Sequence, residues 1–125
     1  RPTLTDILRK MPHLAVLVIE TDSPELGGAL AFLPELRTLR AELWDWEGMS
    51  WLLWGMQWLR QLSTLSMHIH SAQEVRLRDV IDVVAKLPFV VVFDFSSTFL
   101  RYSWRHSSRY KDRLANVREF HVRWH

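Results

Sequence analysis

The chain contains no cysteine, and this absence excludes several classes of protein. Without thiols it can form neither a disulfide framework nor a thiolate metal site, so zinc fingers, redox dithiols and cysteine hydrolases are excluded. Its apolar runs, such as Phe89 to Phe93, are far shorter than the ~20 residues that a membrane-spanning helix needs. We therefore expect a soluble protein without a membrane partner, in an intracellular location that is cytoplasmic or nuclear.

The chain also has little excess of one charge sign over the other, because its formal net charge is only +2. Residues 96–125 nevertheless hold seven Lys and Arg against two acidic residues. One hypothesis is a basic nucleic-acid-binding end centred on Arg101, Arg105, Arg109 and Lys111, and the alternative is a solvated helix and loop. The small net charge favours the second, so no nucleic-acid partner is expected.

Five segments of the chain share one apolar pattern, with apolar residues at relative positions 1, 4, 7 and 9. They are Met11–Ile19, Leu33–Ala41, Leu59–Met67, Leu87–Phe95 and Leu114–Val122. Their starts are 22, 26, 28 and 27 residues apart, which is typical of repeat proteins. Positions 7 and 9 alternate with the period of a strand and point to one face, while mostly polar residues occupy the other. The pattern therefore predicts five short strands.

The stretches between these strands have helical periodicity. We expect helices over 3–10, capped by Thr3 or Thr5, from Pro24 onward, over 48–60, over 71–87, and a shorter one over 107–114. Gly27-Gly28 weakens the second helix. Connections of a dozen residues or more require parallel pairing of the strands, which makes the fold α/β.

Two parallel architectures fit this order of elements. A doubly wound sheet covers both of its faces, so its strands are continuous apolar runs. Three of the five strands alternate instead, which favours a solenoid with helices on one side and a bare strand face on the other.

The repeat resembles a known family. Leu33 to Leu43 resembles the LxxLxxLxL segment of a leucine-rich repeat, and Leu59 to Ile69 and Leu114 to Trp124 resemble further copies. The starts at Leu33-Pro34 and Leu87-Pro88 are similar to the irregular repeats of fungal and plant F-box proteins. The regular Asn or Cys after the strand has no constant counterpart here, and no F-box segment can be identified.

The resemblance implies one leucine-rich-repeat-like domain over residues 1–125, a solenoid of five parallel strands with helices on the convex side. It also implies a non-catalytic module that binds a protein, with substrate recognition in an F-box-like protein as its setting. Because the numbering begins at Arg1 without an initiator Met, we expect the domain to be a segment of a longer chain.

The polar positions of the strands form the predicted partner-binding face. One row across the strands is Val18, Arg40, Ser66, Asp94 and His121, and the next is Glu20, Glu42, His68, Ser96 and Arg123. Mixed charge indicates a protein partner, whereas a phosphate groove would be uniformly basic. The predicted binding residues are Arg40, Glu42, Trp44, Trp46, His68, Asp94, His121 and Arg123. The alternative is that these charges pair across the strands and only keep the face soluble.

The tryptophans divide into two groups. Trp51, Trp54 and Trp58 recur at helical spacing and are predicted to lie in the core, because large aromatic side chains supply much of a small domain's burial. Trp44 and Trp46 directly follow the second strand, so one of them is a candidate for an exposed binding anchor.

Catalytic chemistry has weak signals in this sequence. The competing hypothesis is a small doubly wound α/β enzyme with its site at the strand ends around Glu20, Asp94 and Ser96. A metal site of His68, His70, Asp94 and His121 is not expected, because His68 and His121 are two strands, ~10 Å, apart. Asp94 is instead expected to pair with His121. We expect no catalytic residue, metal or cofactor.

The last predicted strand has no element after it to cover its edge. An uncovered edge strand can pair with another chain. Self-association through this C-terminal edge is therefore a second expected interaction.

Overall fold

The described part of the computed structural model comprises residues 3–20, 24–44, 47–70, 75–97, 100–101 and 116–124, and it contains both helices and strands. The helices are α1 (Leu4–Arg9), α2 (Pro24–Ala29), α3 (Glu47–Met56) and α4 (Leu77–Ala85), with a 3-10 turn at Leu30–Phe32. The strands are β1 (Val16–Glu20), β2 (Thr38–Leu43), β3 (Thr64–Ile69), β4 (Val75–Arg76), β5 (Val92–Ser97), β6 (Leu100–Arg101) and β7 (Glu119–Trp124).

Five of these strands form one open, entirely parallel sheet in the order β1-β2-β3-β5-β7. The α/β class and the parallel pairing are therefore confirmed. A doubly wound sheet requires the strand order to reverse within the sheet, and the described strands follow chain order without a reversal. The two short strands β4 and β6 pair with each other, again in parallel.

Each of the first four repeats enters its strand through the same turn. The backbone N–H at repeat position 4 donates to the carbonyl at position 1, with N···O distances of 3.0 to 3.2 Å in the pairs 14/11, 36/33, 62/59 and 90/87. Three of the four turns have proline at position 2, namely Pro12, Pro34 and Pro88. Proline favours that position of a tight turn because its fixed φ matches the backbone there. This geometry explains the repeated Leu-Pro starts.

The next residue of the repeat sets the register between strands. The carbonyl oxygen of Ala15 accepts hydrogen bonds from the N–H groups of both Arg37 and Thr38, at 2.9 and 3.0 Å. The carbonyls of Arg37, Ser63 and Val91 accept the same pair of bonds from the following repeat. Equivalent residues of the repeats therefore lie side by side across the sheet.

This register stacks the apolar strand positions into a core. Leu39, Leu65 and Phe93 are aligned, and so are Ala41, Met67 and Phe95, and all six are buried. The helices supply the opposite wall, with Leu30, Met49, Leu52, Met56 and Val80 among the buried side chains. Full burial stabilises each large apolar side chain by about 1.5 to 3 kcal/mol, so the core favours this register.

Helix α1 begins where a capping box holds its first turn. The Thr3 hydroxyl accepts a hydrogen bond from the Asp6 N–H at 3.1 Å, and the Asp6 carboxylate accepts one from the Thr3 N–H at 3.2 Å. The pKa of Asp6 is lowered mainly by the hydrogen bond from the Thr3 backbone N–H, and next by the interaction of Asp6 with the Thr3 side chain. Of the two predicted caps, Thr3 is the one observed.

Two helix predictions need correction or fall outside the described residues. The helix predicted over 71–87 begins only at Leu77, because Val75 and Arg76 pair with β6 as a strand. A β-branched residue such as valine favours this extended backbone. The short helix predicted over 107–114 lies outside the described residues.

The prediction that three tryptophans of α3 and its following turn belong to the core is wrong. Trp51, Trp54 and Trp58 are 50%, 53% and 46% exposed. The core side of α3 is occupied by a second apolar stripe of the same periodicity, Met49, Leu52 and Met56. One helix face cannot carry both stripes, so the tryptophans lie on the outer side.

Helices α2 and α3 approach each other through two glycines. A Cβ atom on Gly27 would lie 2.2 Å from the Trp51 carbonyl oxygen, and one on Gly55 would lie 2.2 Å from the Gly27 carbonyl oxygen. Real Cβ atoms do not approach backbone so closely, so any side chain here would force the helices apart. A Cβ atom on Gly28, by contrast, would have open space around it.

Replacing Gly27 or Gly55 with alanine is expected to lower the free energy of unfolding by about 1 to 3 kcal/mol, because the methyl group overpacks a backbone contact. Gly28→Ala is the matched control and should raise the free energy of unfolding by about 0.5 to 1 kcal/mol, since alanine is the better helix former. Urea denaturation followed by circular dichroism measures all three. Equal effects of Gly27→Ala and Gly28→Ala would contradict the close helix contact.

Candidate functional site

The side of the sheet opposite the core carries the candidate site, and we call it the polar face. Strand pairing aligns Val18, Arg40, Ser66, Asp94 and His121 in one row, and Glu20, Glu42, His68, Ser96 and Arg123 in the next. Both rows are the predicted ones. A cleft of about 450 Å³ runs over them.

The predicted binding residues largely meet on this face. Arg40, His121 and Arg123 are exposed, while Glu42, His68 and Asp94 are half-buried. Trp44 directly follows β2 and is 53% exposed. Trp46 lies outside the described residues.

Asp94 is the centre of a polar cluster on the β5 and β7 side. Its Oδ2 atom accepts a hydrogen bond from Arg123 Nη2 at 2.8 Å and a longer one from the Ser66 hydroxyl at 3.5 Å. Asp94 and His121 are cross-strand partners in the register, as predicted, but no ion pair joins these two described residues, and His121 Nε2 lies 3.7 Å from Glu119 Oε2 on its own strand. The longer arginine side chain reaches diagonally to the neighbouring row, within the range of cross-strand diagonal contacts.

A second cluster joins aromatic and imidazole rings at the ends of β2 and β3. The Trp44 and His70 rings stack at a centroid distance of 4.7 Å, and the His70 and His68 rings meet edge to face at 4.1 Å. His68 Nδ1 in turn makes a short contact with the Ser96 hydroxyl. The cluster therefore extends from Trp44, at the edge of the polar face that we call the Trp44 rim, to the centre of the polar face.

His70 is the contact residue that the predicted binding set lacks. Extending the β2 and β3 register by one residue beyond the Leu43–Ile69 pair places His70 opposite Trp44. Its Nε2 atom also lies 3.5 Å from Glu42 Oε2. Period-2 alternation predicts that His70 shares a face with His68, because residues two apart in a strand do so, and the structure places the two rings in contact.

The β1 and β2 side of the polar face has a different character. Val16 and Val18 are 55% and 65% exposed. Glu20 and Glu42 are register partners, so two like charges lie opposite each other, an arrangement that is destabilising in a sheet. Arg40 forms no ion pair with another described residue. This half of the face therefore has charge left for a partner, whereas Asp94 and Arg123 neutralise each other.

Three polar atoms in the described part of the chain are shielded from solvent without a hydrogen-bond partner: His70 Nε2, Asp94 Oδ1 and the Ser97 hydroxyl oxygen. The contact between His70 and Glu42 has the length of an ion pair but not the geometry of a hydrogen bond. An unsatisfied buried group costs about 1 to 3 kcal/mol.

Among the described residues, no group of three His, Asp or Glu side chains is placed to hold a metal ion. None of the described helices is long and apolar enough to cross a membrane. Arg105, Arg109 and Lys111 of the basic end lie outside the described residues, and only the backbone of Arg101 is described.

The ion pair between Asp94 and Arg123 gives a test of the polar cluster. A double-mutant cycle of Asp94→Ala and Arg123→Ala is expected to show a coupling free energy of roughly 0.5 to 1 kcal/mol, because Arg123 is largely exposed. The coupling should fall as salt is added. The control cycle replaces Arg123→Ala with Arg40→Ala and should show no coupling, and equal coupling in both cycles would contradict the observed pairing.

Comparison with known proteins gives no relative for this chain. No protein-family model, curated protein or solved structure matches it. Its function is therefore inferred from the residues of the polar face.

Proposed function

We propose that this chain is a non-catalytic protein-interaction module, a leucine-rich-repeat-like solenoid that binds a protein partner on its polar face. In this proposal the helices form the convex side and the polar face is concave. One observation carries this proposal. Five in-register parallel strands leave one side of the sheet polar and half exposed, and the residues of that side line a cleft of about 450 Å³. Solenoid proteins bind extended partners on faces of this kind.

The charges of the polar face support a protein partner over a phosphate-bearing one. Glu20, Glu42 and Asp94 lie among Arg40 and Arg123, so a polyanion would meet repulsion in both rows. A polypeptide segment can match this mixture residue by residue. Charge matching of this kind gives specificity and faster association rather than affinity alone.

The Trp44 rim supports an anchored interaction. Trp44 is half exposed but already stacked on His70, so its ring is held before binding. A pre-oriented aromatic side chain loses little conformational entropy when a partner covers it. Partly exposed tryptophans at the edge of a cleft are frequent binding hot spots. Trp46 remains a prediction for the same rim.

The partner expected from this surface has three features. An apolar side chain of the partner would pack on the exposed Val16 and Val18 at the β1 edge. A basic side chain of the partner would pair with Glu20 and Glu42, and an acidic side chain would pair with Arg40. The F-box resemblance of the Leu-Pro repeats adds a setting, in which the partner is a substrate recognised inside the cell.

Photo-crosslinking tests which face binds. A photoreactive amino acid at position 18, on the polar face, should give a discrete protein adduct in an extract of cells that express the chain. The same amino acid at Ser50, exposed on α3, should not give that adduct. Adding Arg40→Ala, His68→Ala and His121→Ala should abolish the adduct at position 18 without unfolding the domain, because none of the three side chains is buried.

A control variant with His13→Ala and Arg78→Ala removes similar side chains outside the polar face and should keep the adduct. An adduct that survives the triple substitution, or one that forms equally well from Ser50, would reject the polar face as the binding surface.

One observation favours an enzyme as the second candidate function. The contact between His68 and Ser96 has the form of a base and a nucleophile. Ser96 lies inside β5, however, between β3 and β7, where strand pairing uses the neighbouring backbone N–H groups. These N–H groups are the usual donors that stabilise an oxyanion, so the contact lacks a necessary part of a serine hydrolase.

A fluorophosphonate probe, which labels activated serine hydroxyls, distinguishes the two functions. We expect no labelling of Ser96 above that of Ser66, which lies in the neighbouring row without a histidine contact. Mass spectrometry of the treated protein locates any adduct. Labelling that disappears in both Ser96→Ala and His68→Ala, with Ser66→Ala unaffected, would favour the enzyme.

A further inference from the structure

Helix α3 and the turn after it carry an exposed aromatic ridge, which we call the tryptophan ridge. It consists of Trp51, Trp54 and Trp58, each about half exposed. The Trp54 and Trp58 rings meet edge to face at a centroid distance of 4.7 Å. The Gln57 side chain donates a hydrogen bond to the Trp54 carbonyl at 2.7 Å, which holds the end of the helix beside these rings.

The ridge is comparable in area to the largest exposed apolar patch of a typical soluble monomer, which is about 300 to 600 Å² and often functional. At half exposure the three indoles present roughly 350 Å² together, since a tryptophan side chain offers up to ~250 Å². The ridge alone falls well short of the ~800 Å² that each partner contributes to a stable protein interface.

Cationic side chains lie close to the Trp58 end of the ridge. No Asp or Glu occurs from Gly48 to Gln73. Next to Trp58, a pocket of about 200 Å³ lies between two successive turns and includes Arg60, Lys86 and Phe89 in its lining. Arg60 and Lys86 are exposed and form no ion pair with another described residue, and Phe89 is 53% exposed. No acidic residue lines this pocket.

We propose that the tryptophan ridge and this pocket dock the protein on the surface of an anionic membrane. The indoles lie in the headgroup region, where tryptophan is favoured because its ring is apolar and its N–H is polar. Arg60 and Lys86 contact anionic headgroups. The docking is peripheral and requires no membrane-spanning helix.

The shape of the surface favours a membrane over a protein partner. The tryptophans project from the outer side of a helix, so they form a ridge and not a groove. A protein would need a complementary groove to cover them, whereas a lipid headgroup layer deforms around them.

Co-sedimentation with lipid vesicles tests the proposal. The intact 125-residue chain is mixed with vesicles of phosphatidylcholine alone or with about one third phosphatidylserine, and bound protein is measured over a range of salt. We expect stronger binding to the phosphatidylserine vesicles that weakens as salt is added, because screening reduces the attraction of Arg60 and Lys86. Brominated lipids should quench part of the tryptophan fluorescence.

Matched variants assign the contact to its residues. Trp54→Gln with Trp58→Gln should lower vesicle affinity by at least about tenfold and reduce the bromine quenching, since both indoles leave the interface. Trp44→Gln removes an equally exposed tryptophan from the polar face and should change neither. Arg60→Gln with Lys86→Gln should remove the preference for phosphatidylserine while leaving the quenching of any bound protein.

The proposal is overturned if the chain binds neither vesicle type, or if Trp44→Gln is as damaging as the ridge variant. It is also overturned if the ridge variant abolishes a concentration-dependent dimer, seen by light scattering, while vesicles remain unbound. In that case the ridge is a contact between two copies of the chain. The residues of the ridge and of its pocket lie outside the polar face, so the vesicle result and the crosslinking result can fail independently.

Discussion

The shared carbonyl at the start of each strand is the interaction on which the rest of the structure depends. Each of the Ala15, Arg37, Ser63 and Val91 carbonyls accepts two hydrogen bonds from the next repeat, so every strand begins at the same point of its repeat. A slip by one residue would turn every buried side chain of a strand outward. The large aligned side chains of the core therefore reinforce a register that the backbone bonds already select. The two rows of the polar face follow from it without further assumptions.

The strands and their register could be predicted from sequence because the signal is local and repeated. Period-2 alternation fixes which side chains share a face, and five copies of one pattern align the strands with each other. Parallel pairing followed from the length of the connections. The pair of β4 and β6 could not be predicted in this way, because two residues per strand are too few to show a period. The helix predicted over 71–87 starts before the observed start of α4 at Leu77 for the same reason, because the pattern does not reveal strand β4 at Val75–Arg76.

Which side chains touch one another within the site was less predictable than which residues belong to the site. Which side chains lie on the polar face depends on strand register, but which of them touch depends on side-chain length and rotamer. Asp94 lies opposite His121 in the register, yet it binds Arg123, because the guanidinium can reach one row further and donates to the carboxylate in a favourable geometry. His70 continues the alternation of Ser66 and His68 one residue beyond the end of β3, and its N–H still donates to the Leu43 carbonyl of β2 at 2.8 Å, so the alternation predicted its face although the predicted binding set omits it.

Helix α3 shows why periodicity alone could not place the tryptophans. Its sequence carries two apolar stripes of helical spacing, and the bulkier one was expected inside. Met49, Leu52 and Met56 are buried, and the three tryptophans are about half exposed. Helical spacing fixes the angle between the two stripes but not which of them faces the sheet, because both are apolar. The choice depends on packing between elements that are distant in the sequence, such as the close approach of α2 and α3 at Gly27 and Gly55.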